Sequence, residues 1–115
     1  MDSFPGKRAD VAQYDVFVNP HAGSRDSVPF VVDVQSGLID QLPTRLVMPL
    51  SRVGTNEGRL PITLCPQVDI EGESLSLMAH LSAAVPARLL RSPVASIGHR
   101  AGDIRSALDA VVSGI

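Results

Sequence analysis

The side chains best suited to metal binding or nucleophilic chemistry in this sequence are three histidines and one cysteine: His21, His80, His99 and Cys65. A zinc site draws on close pairs such as C-x-x-C or H-x-x-x-H, because two ligands must reach one ion from one short segment. These four residues are scattered, so no metal is expected. Cys65 lies between Leu64 and Pro66 with no neighbouring cation to lower its pKa, and reads as a small core residue. No G-x-S-x-G elbow, G-x-x-x-x-G-K loop or G-x-G-x-x-G turn occurs. Glu71 and Glu73 straddle Gly72, a spacing that suits a carboxylate dyad. An exposed turn cannot raise a pKa by burial, however, and the pair reads as solvated. Asp33, Ser36 and Asp40 gather without a histidine in sequence reach. The residues themselves offer no active site.

Two apolar pieces occupy places where polar residues are the rule. Leu38-Ile39 sits between turn residues, with Gln-Ser-Gly before it and Asp-Gln-Leu-Pro after it. The chain closes on Val111-Val112-Ser113-Gly114-Ile115, whereas termini usually end in polar, frayed residues. Each is either folded into the core or presented to a partner.

Elements must position these pieces, and composition bounds them. At 115 residues the chain holds one domain, able to bury roughly two thirds of its unfolded surface. With 44% hydrophobic and 19% charged residues it is an ordinary globular sequence. A net charge of −2 supplies no basic footprint for nucleic acid. One cysteine rules out an internal disulfide framework. No apolar run has the length of a membrane span, and Met1–Ala12 lacks the apolar stretch of a signal peptide. A cytoplasmic protein is expected. Aromatic residues make up only 3%, so stacking platforms and interface anchors are few.

Residues 1–12 read as a disordered extension and 13–115 as a single folded domain. Nine prolines and nine glycines favour short strands and turns over a helical bundle. Tyr14–Val18 is a strand with Val16 and Val18 on one face and Phe17 on the other. Phe30–Val34 is a second, β-branched strand that pairs with the first across a long loop. Arg45–Leu50 is a third, with Pro49 marking an edge or a bend. Ile62–Leu64 and Gln67–Ile70 continue the sheet, Ser74–Leu81 returns after the Glu71–Glu73 turn, and Ala87–Leu90 adds a short strand. From Ile97, apolar residues at Ala101, Ile104, Leu108, Val111 and Ile115 form one stripe of an amphipathic helix. The expected fold is mainly β (α+β): short antiparallel strands followed by a C-terminal helix.

The run Phe30–Leu50, FVVDVQSGLIDQLPTRLVMPL, resembles the signature stretch of the CcdB family, the toxin half of a toxin–antitoxin pair. The likeness continues through Pro66–Ile70, the Gly-Glu-Ser turn at 72–74, Met78 and Val85-Pro86. It ends at His99-Arg100, Asp103-Ile104 and Gly114-Ile115, covering nearly the whole chain from Tyr14. The resemblance implies an SH3-like antiparallel barrel with a C-terminal helix, working as a homodimer. It implies a partner in the DNA gyrase A subunit, whose cleaved complex with DNA the toxin stabilises, and a CcdA-like antitoxin that neutralises it. It implies no enzyme activity, cofactor or membrane association.

Carried over one at a time, the family's gyrase-facing residues fall on Leu38 and Ile39, on Asp109 where the family commonly has Asn, and on Val112, Ser113, Gly114 and Ile115. The family ends in Phe-Trp-Gly-Ile, and this chain ends in Val-Ser-Gly-Ile. A Trp stacks on arginine and buries a large apolar area, and losing such an anchor costs about 2 kcal/mol or more. Ser113 does neither, so weakened or altered poisoning is expected. Two other functions compete. A non-toxic homologue would keep the fold and bind antitoxin. An endoribonuclease of the related MazF/Kid type would need a catalytic set drawn from Arg45, Asp40, His80 or His99, which the acidic balance disfavours.

Overall fold

The computed structural model describes residues 12–37, 42–52 and 65–113. Leu38, Ile39, Asp40, Ile62–Leu64, Gly114, Ile115 and the first eleven residues lie outside that set. The β-branched and aliphatic runs become strands β1 (Asp15–Val18), β2 (Phe30–Asp33), β3 (Thr44–Arg52), β4 (Gln67–Ile70), β5 (Glu73–Leu77), β6 (Ala83–Pro86) and β7 (Ala95–Ser96). One helix, α1 (Ala101–Ser113), closes the described chain. All pairings are antiparallel, in the order β4-β5-β3-β2-β1-β7 with β6 also on β3. The sheet curls into a nearly closed barrel of the SH3-like kind with a C-terminal helix.

β3 organises the barrel. Val47 pairs with both Asp33 of β2 and Ala83 of β6, and Leu50 pairs with both Phe30 of β2 and Leu77 of β5. β5 and β6 therefore share the edge opposite β2, with a gap between them. Pro49 faces that gap: its carbonyl accepts the Met78 N–H at 2.9 Å, and its own nitrogen, on the same side, removes no ladder bond. The strand runs on through the proline to Arg52, and its partner on that side changes from β6 to β5 there.

β2 is buried on both faces and does not alternate, whereas β4 alternates between exposed and buried residues. Val16, Val32, Met48, Leu50, Ile70, Leu75 and Leu77 fill the interior with Ile104 and Ala107 of α1. Phe17, Val31, Val47 and Leu90 form a second cluster with Val85 against them. Val16 and Phe17 are both buried, although they point to opposite faces; Val18 has run past the core and is exposed. β4 and β5 join through Glu71 and Gly72, both at positive φ (52° and 85°), which gives a two-residue hairpin whose twist suits the strands.

Several sequence expectations shift. The residues Ala87–Leu89 form a 3-10 turn and not a strand, closed by Leu90 N–H on the Ala87 carbonyl; the ladder with β3 belongs to β6 instead. β5 ends at Leu77, because Leu81 and Ser82 turn back onto Met78 and Ala79. His80 thus stands exposed in a turn, off any strand. The helix begins at Ala101, after a 3-10 turn at Gly98–Arg100 in which Arg100 N–H bonds the Ile97 carbonyl.

Candidate partner-binding site at the end of the C-terminal helix

The first half of α1 is fastened to the barrel. Ile104 and Ala107 are fully buried, with Ala101 and Leu108 packed beside them. Arg100 Nε meets Asp103 at 2.7 Å, and the same guanidinium donates to the Gln67 carbonyl of β4 at 2.9 Å. Asp103 in the first turn also suits the positive end of the helix dipole. Arg105 reaches the Tyr14 hydroxyl at 3.4 Å. Tyr14 adopts φ 74°, rare for a residue with a side chain, and is held there by two backbone bonds, to the Asp33 carbonyl and from Ile97 N–H.

The second half runs past the barrel. At 100° per residue, Val111 lies on the docked stripe between Ile104 and Ala107, yet it is 40% exposed. Val112 is 84% exposed. Ala107, absent from the stripe read off the sequence, takes the buried place that the stripe gave to Val111. The apolar pattern was legible; where the barrel stops supporting it was not.

Asp109 and Ser113 share one exposed face, four residues apart, and the Ser113 hydroxyl donates to the Asp109 carbonyl at 2.7 Å. It is a local bond of the last turn, made to a carbonyl that the Ser113 N–H of the same helix also faces. No basic residue occupies the last turn, so Asp109 adds negative charge beside the negative end of the dipole. Asp109, Val112 and Ser113 therefore form one solvated helical turn. Leu38 and Ile39, with Gly114 and Ile115, lie outside the described residues.

The base of the loop that carries Leu38 and Ile39 is described, and it is a buried polar network. Arg45 Nε meets the Asp33 carboxylate at 2.8 Å. Asp33 also accepts the Gln35 N–H at 3.0 Å, and the Gln35 side chain accepts the Leu46 N–H at 2.9 Å. Arg45 donates further to the Gln35 carbonyl. Every member has partners, which is what lets charge persist in a barrel wall. Asp33 pairs in register with Val47, so Arg45 reaches it diagonally along the hairpin, a relation that only the strand register defines.

Among the described residues no three of His, Cys, Asp and Glu converge on a metal position. Burial pushes the Cys65 thiol up in pKa, partly offset by a backbone hydrogen bond at Ala79, and the nearest ring nitrogen, His80 Nδ1, stands 3.9 Å away. Glu73 pairs with Arg52, and Glu71 occupies the hairpin turn. Among the described residues no helix is long and apolar enough to cross a membrane.

The family model described as CcdB protein matches residues 13–114. The chain belongs to the CcdB family. The CcdB family comprises toxins of toxin–antitoxin pairs that inhibit DNA gyrase, and the barrel with its terminal helix agrees with that membership. In this CcdB-family chain the arginine that a ribonuclease reading would use, Arg45, is 3% exposed and bound to Asp33. A phosphate could reach it only by displacing a buried carboxylate.

Proposed function

We propose that this chain is the toxin of a type II toxin–antitoxin pair and acts by binding the DNA gyrase A subunit, without catalysis. Residues 13–115 act as the toxin domain, a homodimer, behind an extension at 1–12. The contact is made by Leu38 and Ile39 and by the helix end at Asp109, Val112, Ser113, Gly114 and Ile115. A CcdA-like antitoxin neutralises it in the cytoplasm. The observation that carries this reading is the overhang of α1: an apolar turn with Val112 at 84% exposure has no role in the barrel and suits a partner. Ser113 in place of Trp attenuates the contact, since serine cannot stack on arginine, and Asp109 in place of Asn adds a negative charge there.

A second reading is favoured by the same serine. With the aromatic anchor absent, the chain binds antitoxin without poisoning gyrase. Expression in a gyrase-sensitive host, scoring growth, double-strand breaks and transcript integrity, separates the readings. Growth arrest with DNA breaks supports the toxin, and normal growth supports the non-toxic homologue. Cut transcripts without breaks would sink both.

A further inference from the structure

The face of α1 that leaves the barrel combines a carboxylate with an apolar side chain. At 100° per residue, Arg105, Asp109, Val112 and Ser113 fall within about 100° of one another round the helix, and all four are exposed. We propose that the Asp109 carboxylate is the specificity-determining group of this face: it takes an arginine or lysine side chain of the gyrase A subunit, forming an ion pair beside the apolar contact of Val112. The inference rests on the gyrase-binding reading and names the chemistry that the partner must offer.

The first support is where the charge stands. The last turn of α1 holds no basic residue, and Asp109 lies one turn from the negative end of the dipole, where a carboxylate weakens the helix. Asp26, Asp69 and Glu71 also lack an ion-pair partner among the described residues. They occupy a loop, a strand and a hairpin turn, however, where no helix dipole opposes them. Asp109 is placed against its own element, the kind of local conflict that marks a group kept for a partner.

The second support is that the cation best spaced to neutralise it is engaged elsewhere. Arg105 precedes Asp109 by four residues, the spacing of a helical ion pair, though the cation-first order is the weaker one. Arg105 Nη1 instead donates to the Tyr14 hydroxyl at 3.4 Å, and no bridge joins it to Asp109. Tyr14 is buried and held by its two backbone bonds, so it engages the guanidinium from the barrel side. The carboxylate is left to a partner. Val112, 84% exposed, supplies apolar area that excludes water from the pair once covered, which strengthens it.

Calorimetric titration of the whole protein against purified DNA gyrase A subunit, at about 50 and 300 mM salt, tests the ion pair. Asp109→Asn keeps the side-chain shape and removes its charge. It is expected to weaken binding about fivefold or more at low salt and to flatten the salt dependence, with the melting temperature unchanged or raised. Asp109→Glu should largely retain affinity. Equal or tighter binding by Asp109→Asn overturns the ion pair, and so does an equal salt dependence in the two proteins. Either result leaves the gyrase reading standing, because the wild type still binds. Binding by Ser113→Trp but not by the wild type also overturns the ion pair alone. Absence of binding by both removes the gyrase reading and this inference together.

Discussion

The carboxylate of Asp33 and the guanidinium of Arg45 meet at 2.8 Å, with side-chain exposures of only 0% and 4%, at the base of the loop between β2 and β3. A charge pair at such depth holds the loop's two ends in one register, because either charge alone would be stranded.

Removing one partner should therefore be worse than removing both. Asp33→Ala or Arg45→Ala is expected to destabilise the fold by about 3–5 kcal/mol. Asp33→Leu combined with Arg45→Met should cost less than either single change. Urea denaturation of the three variants checks this, and an additive double variant would contradict a coupled pair.

The two halves of α1 should respond differently to truncation. Ile104 is fully buried, so Ile104→Ala should cost about 2–5 kcal/mol. Val112 is 84% exposed, and Val112→Ser should stay within about 0.5 kcal/mol. A large loss at Val112 would mean that the helix end is covered.

Restoring the aromatic anchor should strengthen the proposed contact. Ser113→Trp is expected to raise affinity for the gyrase A subunit, up to about thirtyfold if the full hot-spot contribution returns. Calorimetry reads this directly. Unchanged affinity would remove the helix end from the interface. Deleting residues 113–115 should abolish binding while shifting the melting temperature by no more than about 4 °C.

Burial raises the Cys65 pKa above its ordinary value. Alkylation by iodoacetamide at mildly alkaline pH should be much slower in the folded protein than in urea, because the thiolate is the nucleophile. The linked stability runs with the raised direction: it is fully present below the unfolded thiol's pKa and is lost as pH climbs through the folded value. Cys65→Ala should remove that alkaline dependence.

Gly72 sits at φ +85° with open space around it. Gly72→Ala should cost at least about 1 kcal/mol through backbone strain alone, since nothing crowds the added methyl. A neutral result in thermal melting would show that the hairpin turn relaxes.

By itself the sequence determined the types of the elements from β1 to β5, through β-branched and alternating runs and the Glu71-Gly72 turn, and a helical stripe at Ala101, Ile104 and Leu108; β6, β7 and the start of the helix came from the fold. The types read in this way follow from local periodicity and backbone preference, which each segment carries alone. The family resemblance also lay open in Phe30–Leu50. Tertiary structure alone decided that Val111 emerges from the stripe while Ala107 is buried, since that depends on where the barrel ends and not on the helix. It decided likewise that Tyr14 holds Arg105 from 91 residues away. The buried pair of Asp33 and Arg45 has the same origin: burial and charge pairing are set by which surfaces meet, and no single segment encodes its neighbour.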